Sequence, residues 1–326
     1  MSDAKVREVW PGIYIVHLPL PVRPTIVNVY LLHSGDEWVL VDTGVDTAES
    51  KAAFDTALAQ IGCPPDGMTR VICTHHHPDH FGCSRAYRER SGARLYMNRL
   101  EYEIASAFGR GRRSEDVTAF FIRNGVPIER FVQIPSPAAF WSEMYRPATP
   151  DHFIEDGEVL TFGDLQIEVI TTPGHTAGHC VLYLRRQRLL ISGDHLLPKI
   201  TPHVGFYPGG PENPLRDFLE SQRKIQRFDV NLVLPAHGGT FPDHRHRANQ
   251  IIHHHEYRLQ EMIDAIRRQG RTAYEIGCLC FGFDVGSPLM VQIPATFETL
   301  AHLQYLHAQG RVVREDHGEQ TLYRAT

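Results

Sequence analysis

Between Val71 and Cys83 the chain reads VICTHHHPDHFGC, with five ionisable side chains, His75, His76, His77, Asp79 and His80, in six positions around Pro78. His75 and His77, at i and i+2, point the same way while the chain is still extended. Pro78 then turns it and lets Asp79 and His80 approach from another side. Imidazole nitrogens with a carboxylate suit zinc, or alternatively iron or manganese. Four ligands from one segment are too many for a single small site that must also hold water, so two adjacent metals are the economical reading. A histidine-rich loop that binds metal adventitiously, or not at all, is the plainer alternative.

Further polar residues stand where an apolar run gives way to a turn: Asp42 in VDTG, His175 and His179 in PGHTAGH, Asp194 after LLISG, and His237 in VNLVLPAH. With the 75–80 loop they make the ligand set of a binuclear site: three histidines for one metal, two histidines and a carboxylate for the other, and one carboxylate able to bridge. Asp42 is suited to hold a ligating histidine by its second nitrogen. Two ions roughly 3.5 Å apart would share a hydroxide at neutral pH and polarise a scissile carbonyl.

These residues need strands to deliver them and helices to follow. Residues 12–19, 26–33 and 37–41 are short runs rich in Val, Ile, Leu and Tyr, separated by Pro, Ser and Gly, and predict a sheet that begins with hairpins. A helix follows, with Asp46 or Thr47 as cap and Ala53, Phe54, Leu58 and Ile61 as its stripe. Residues 68–73 form the strand carrying the metal loop, Phe81 to Arg90 the next helix, and 93–130 a helical stretch interrupted by Gly109 and Gly111. Arg110, Arg112 and Arg113 read as a solvated helix end, with an anionic substrate group as the alternative. The aromatic, proline-rich segment 131–152, with Phe140, Trp141, Met144 and Tyr145, reads as an ordered loop over the core or at the mouth of a cleft. Strand signals resume at 153, and 212–227 is an amphipathic helix started by Asn213 and Pro214. The alternation predicts an α/β fold of two sheets flanked by helices.

Past residue 243 the composition changes. Residues 244–269 read as one helix with Ile251, His255, Leu259, Met262 and Ile266 spaced by three or four. His253, His254 and His255 fall on successive faces, cannot converge on one ion, and read as helical surface or edge residues. Two shorter helices follow, the second capped by Thr296, and then a strand pair. That order predicts a winged-helix-like module over 244–326 behind a catalytic domain over 1–243.

THHHPDH resembles the HxHxDH signature of the metallo-beta-lactamase fold superfamily, and VDTG, TPGHTAGH, SGD and PAHG resemble its flanking motifs in their usual order. The resemblance spans roughly residues 12–240. It implies an αβ/βα sandwich, two mixed sheets face to face with helices outside, and two divalent metal ions, zinc first, with iron or manganese as alternatives. By motif, His75, His77 and His175 would hold the first metal, Asp79, His80 and His237 the second, and Asp194 would bridge. Asp42 and His179 would stand behind the ligands, and His76 drops out. Asp79 would also orient the hydroxide or carry a proton to the leaving group. Aspartate at 194 and the Asp79–His80 pair point to the glyoxalase II, lactonase and related hydrolase branch, and the winged-helix-like tail resembles that of beta-lactamase-like protein 2. Lactonases there use a tyrosine to support the carbonyl oxygen. Tyr207, with His203 and Phe206 near it, occupies a comparable region.

The implied activity is hydrolysis of a small thioester, lactone or ester. An RNA phosphodiesterase is the first alternative, and a metal-dependent oxidoreductase or a non-enzymatic interaction protein a further one. A net charge of -5 gives no support to a nucleic-acid partner, and no apolar run is long enough for a membrane span. A hydrophobic fraction of 42% and a charged fraction of 22% fit a globular chain. Six cysteines are too few for a disulfide scaffold, and the amino terminus lacks signal-peptide character, so a cytoplasmic, reduced protein is expected. The helix after Thr296 has few basic residues and offers a face that could pair two subunits as a homodimer.

Overall fold

The structure, a computed structural model, describes residues 6–108, 114–127, 129 and 144–326. Strands β1 (Val6–Trp10), β2 (Ile13–Pro19), β3 (Ile26–Ser34), β4 (Glu37–Val41), β5 (Met68–Cys73), β6 (Arg94–Asn98) and β7 (His152–Ile154) form one sheet in chain order. Its first four strands are antiparallel and the pairings from β4 to β7 are parallel. A second sheet has the order β12-β11-β10-β9-β8, from β8 (Val159–Phe162), β9 (Leu165–Thr171), β10 (Cys180–Leu184), β11 (Leu189–Gly193) and β12 (Leu232–Pro235), with β11 and β12 parallel.

Strand alternation assigns each face. On β3, Val27, Val29 and Leu31 pack outward against Phe54 and Leu58 of α1 (Ala48–Ile61) and Tyr87 of α3 (Ser84–Ser91). Tyr30 and Leu32 point the other way, into a core shared with Val169, Leu182 and Ile191 of the second sheet. That sheet's outer face, through Val181, Tyr183, Leu190 and Val233, packs with Leu215 and Phe218 of α6 (Pro214–Ile225), Ile251 and Met262 of α7 (His244–Ile266), Ile276 of α8 (Ala273–Phe281), and Leu300 and Leu303 of α9 (Leu289–Ala308). The result is helix, sheet, sheet, helix. β13 (Val312–His317) and β14 (Gln320–Ala325) close the chain as a hairpin.

Several local expectations change. The stretch from 93 begins with β6, followed by α4 (Arg99–Phe108) and α5 (Ser114–Arg123). The helix expected over Phe81 to Arg90 is split into α2 (Pro78–Phe81) and α3. Gly82 stands between them, where an added Cβ would lie 2.3 Å from the Pro78 oxygen. Thr296 caps nothing: α9 starts at Leu289, and the Thr296 hydroxyl donates to the Gln292 oxygen inside it at 2.8 Å. Pro294 lies within this helix and gives the sequence the look of a later start. His255 is no surface residue either, being fully buried and hydrogen-bonded to His302 at 3.0 Å. Arg110, Arg112, Arg113, Phe140 and Trp141 lie outside the described residues. Met144 packs against the outer core, and the Tyr145 hydroxyl donates to the His76 oxygen at 2.7 Å.

Candidate metal centre

The loop after β5 is shaped by its own residues. His77 is extended (φ -61°, ψ 151°), as a residue before proline must be, and Pro78 opens α2 at a position where a missing N–H costs nothing. This short helix turns Asp79 and His80 away from His75 and His77. On the second sheet, β9 and β10 are joined by the loop carrying His175 and His179, while Asp194 follows β11 and His237 follows β12. Gly193 has φ +49°, and a Cβ there would stand 2.7 Å from His179 Nε2. Only glycine lets the chain turn so sharply before Asp194.

Two groups of ligand atoms result, each within 4.8 Å of one another: His75, His77, His175 and Asp194, and Asp79, His80 and His237. His77 Nδ1 lies 3.0 Å from the Nε2 atoms of both His75 and His175. Asp194 faces both groups. Its Oδ2 is 3.6 Å from His175 Nε2, and its Oδ1 is 3.7 Å from His80 Nε2 and 3.4 Å from His237 Nε2. Asp79 Oδ2 completes the second group at 3.5 Å from His80 Nε2 and 3.3 Å from His237 Nε2. Ligands about 2.1 Å from a tetrahedral ion stand roughly 3.4 Å apart, the scale of these separations.

The far nitrogens of four rings are anchored, which fixes their tautomers. His80 Nδ1 donates to Asp42 Oδ2 at 2.8 Å, His175 Nδ1 to the His203 oxygen at 2.7 Å and His237 Nδ1 to the Ile26 oxygen at 2.9 Å. The Thr74 hydroxyl spends its proton on Asp42 Oδ2, so at 3.0 Å it accepts from His75 Nδ1. Each ring therefore turns its Nε2 inward. Asp42 is itself held in the left-handed region (φ 60°) and accepts the Thr74 N–H at 2.8 Å. Backbone strain of this kind collects at working sites.

Charge divides the two groups. Burial and then neighbouring imidazoles push His75 and His77 well below the usual histidine range. Burial also opposes charge on His80 and His237, but carboxylates win. Asp79, Asp42 and Asp194 raise His80 well above its ordinary value, and Asp194 and Asp79 raise His237 to about 9. His80 Nε2 and Asp194 Oδ1 are buried without a hydrogen-bond partner. Converging lone pairs, two carboxylates and orphaned donor atoms fit divalent cations held as the two groups suggest.

The remaining residues support these. His179, fully buried, accepts the Asp194 N–H on Nε2 at 3.2 Å and pairs its Nδ1 with the Thr172 hydroxyl at 2.9 Å. His76 turns away and donates from Nδ1 to Glu101 Oε2 at 2.5 Å. Glu101, fully buried on α4, also accepts the His76 N–H at 2.9 Å and the Gly178 N–H at 2.5 Å, tying the two ligand loops together. Burial works against its charge, but His76 and these amides hold its carboxyl below the ordinary value. Sequence reasoning missed Glu101. The available signal was an acid at i, i+4 from Ala105 on the packed face of LEYEIASAF. Tyr207 is half-exposed, its hydroxyl 2.9 Å from His203 Nε2 and its ring against Phe297. Phe206 packs against the core of the second sheet and α6–α9.

A sandwich of two mixed sheets with histidines and aspartates gathered at strand ends defines a class, and residues 22–237 match the model of the metallo-beta-lactamase superfamily. The chain belongs to that superfamily. It is 25% identical over 268 residues to a beta-lactamase-like protein 2 homolog of Caenorhabditis elegans, covering 82% of this chain and 72% of that one. It is 26% identical to an acyl-coenzyme A thioesterase of Homo sapiens, covering 66% and 74%. A metallo-beta-lactamase family protein from Thermus thermophilus superposes with a TM-score of 0.86 at 30% identity, covering 98% of this chain and 100% of that one. Superfamily membership and the two clusters together support a metal-dependent hydrolase.

Proposed function

We propose that the chain is a binuclear, zinc-first hydrolase of a small acyl thioester, with lactones or other esters as the neighbouring substrate class. The observation that carries this is Asp194, whose two oxygens face two different groups of ligand atoms. The first ion would be held by His75, His77 and His175 and the second by Asp79, His80 and His237. When bound, such ions supply Lewis acidity and activate water. The thioesterase among the relatives supports the thioester class.

The chain's own residues do the rest. Hydrolysis forms a carbon–oxygen bond at the carbonyl, breaks the carbon–sulfur bond, and needs one proton delivered to the departing thiolate. The Asp79 side chain keeps 19% of its surface open, more than Asp194 at 11%, which suits it to pass that proton outward. Asp42, Thr74, Ile26 and His203 orient imidazoles from behind. Tyr207, held by His203, would support the carbonyl oxygen.

The test is one panel on one sample: acyl thioesters, lactones, a beta-lactam, a phosphodiester and a short RNA, with metal content measured alongside. Turnover of thioester or lactone that disappears on chelation and returns with zinc is expected. Turnover confined to RNA would reject the ester reading.

A further inference from the structure

One other convergence of ligating side chains stands out among the described residues: His255 on α7 with Glu298 and His302 on α9, their ligand atoms within 4.8 Å of one another. Glu298 and His302 are i and i+4, so they share a helix face, and His255 meets them from the neighbouring helix. Both imidazoles are fully buried, with His255 Nδ1 3.0 Å from His302 Nε2. His302 donates from Nδ1 to the Glu298 backbone oxygen at 2.7 Å, which leaves its Nε2 unprotonated and turned toward His255. His255 Nε2 is buried without a hydrogen-bond partner. Two buried imidazoles beside a carboxylate are a zinc ligand set of the kind that leaves a fourth position to water.

We propose that His255, Glu298 and His302 form a separate divalent-cation site, selective for zinc-like ions, that clamps α7 to α9. The protonation states suit it. Burial first, and then neighbouring imidazoles, keep His255 well below the usual histidine range. Burial also lowers His302. Burial opposes charge on Glu298, yet His203 and then His302 hold its carboxyl below the ordinary value. A plain imidazole pair accounts for the 3.0 Å contact and His203 for the ionised carboxylate, but neither gives the buried His255 Nε2 a partner.

Position gives the site a consequence. The Glu298 carboxylate also accepts from His203 Nδ1 at 3.3 Å, and the His203 backbone oxygen anchors His175 at 2.7 Å. An ion that fixes Glu298 therefore steadies, through His203, a ring of the first centre. Glu298 is in this sense a positioning residue.

The experiment uses the full chain equilibrated with micromolar zinc and freed of excess by gel filtration. Elemental analysis is expected to give one ion fewer per chain in His302→Gln and in Glu298→Gln than in the unsubstituted protein, while His77→Ala keeps that ion and loses others. Anomalous scattering at the zinc edge from crystals of the unsubstituted chain is expected to place a peak between the three side chains. Equal zinc content in the unsubstituted chain and both helix variants would overturn the proposal, as would peaks at the strand-end centre with none at this position. If His302→Gln fails to fold, Glu298→Gln and the anomalous map decide.

Discussion

The strand-end centre and the carboxy-terminal helices both bury imidazoles, but they orient them differently. At the strand ends the acceptor behind a ring often comes from far along the chain: Asp42 serves His80 across 38 positions, His203 serves His175 across 28, and Ile26 serves His237 across 211. On the helices the acceptor can be the ring's own helix four residues back, as the Glu298 oxygen is for buried His302 and the Asn249 oxygen for exposed His253, while buried His255 meets His302 on the neighbouring helix. Long-range anchoring makes a site that exists only when both sheets are assembled. Local anchoring makes rings whose direction is set as soon as the helix forms. The first should be sensitive in function to single anchors, and the second should respond mainly in stability.

The sharpest way to break this contrast is His77→Ala, which removes a ligand atom that touches both His75 and His175. Hydrolysis is expected to fall by at least about 10²–10³, the scale on which removal of one preorganised electrostatic group acts, with metal lost on elemental analysis. Full turnover with unchanged metal content would show that the strand ends are not the centre. Next comes Asp42→Asn, which leaves every ligand in place and weakens the anchor of His80 together with the Thr74 hydroxyl that orients His75. Metal affinity is expected to drop roughly 10–100-fold, read by competition with a chelator, while the melting curve moves little.

Glu101→Gln tests the tie between the two ligand loops. Three donors meet its carboxylate, and weakening that arrangement in a buried place is expected to cost about 3 kcal/mol in a denaturant titration. The sign with pH follows from its lowered value. A carboxyl held below its unfolded pKa contributes stability that is present above the unfolded value and is lost as pH falls through the folded one. The unsubstituted protein should therefore lose more stability than Glu101→Gln between about pH 5 and the lowered folded value. Parallel acid limbs in the two proteins would remove Glu101 from the account. The smallest effect belongs to the helices. Thr272 makes a reciprocal cap with Glu275 at the start of α8, so Thr272→Ala should cost about 1 kcal/mol in thermal or urea unfolding. Metal content and turnover should stay as they were.

The same contrast explains what could be read from the sequence. The residues that gather at the strand ends each stand after a short β-rich run, so their spacing and setting bring them to notice, and the sandwich follows from the alternation of runs and helices. The strand β6 was hidden because RLYMN runs directly into the helix that carries LEYEIAS, with no glycine or proline to mark where the strand ends. Glu101 was hidden because its partners, His76 and Gly178, are 25 and 77 positions away. His255 was legible and misread. It belongs to the apolar stripe with Ile251, Leu259 and Met262, and that period, not the run of three histidines, decides that it is buried. The Asp194 geometry lies between these cases, since its position at a strand end was visible but the direction of each oxygen depends on Gly193 and His179.

The claim on which the rest depends is that Asp194 joins two groups of metal ligands, and Asp194→Ala tests it most directly. Zinc content and thioester turnover are measured on the same preparations of the full chain, with and without the substitution. The account predicts that the variant loses zinc from both strand-end groups and nearly all turnover. A variant that keeps the same zinc and the same turnover as the unsubstituted chain would contradict it.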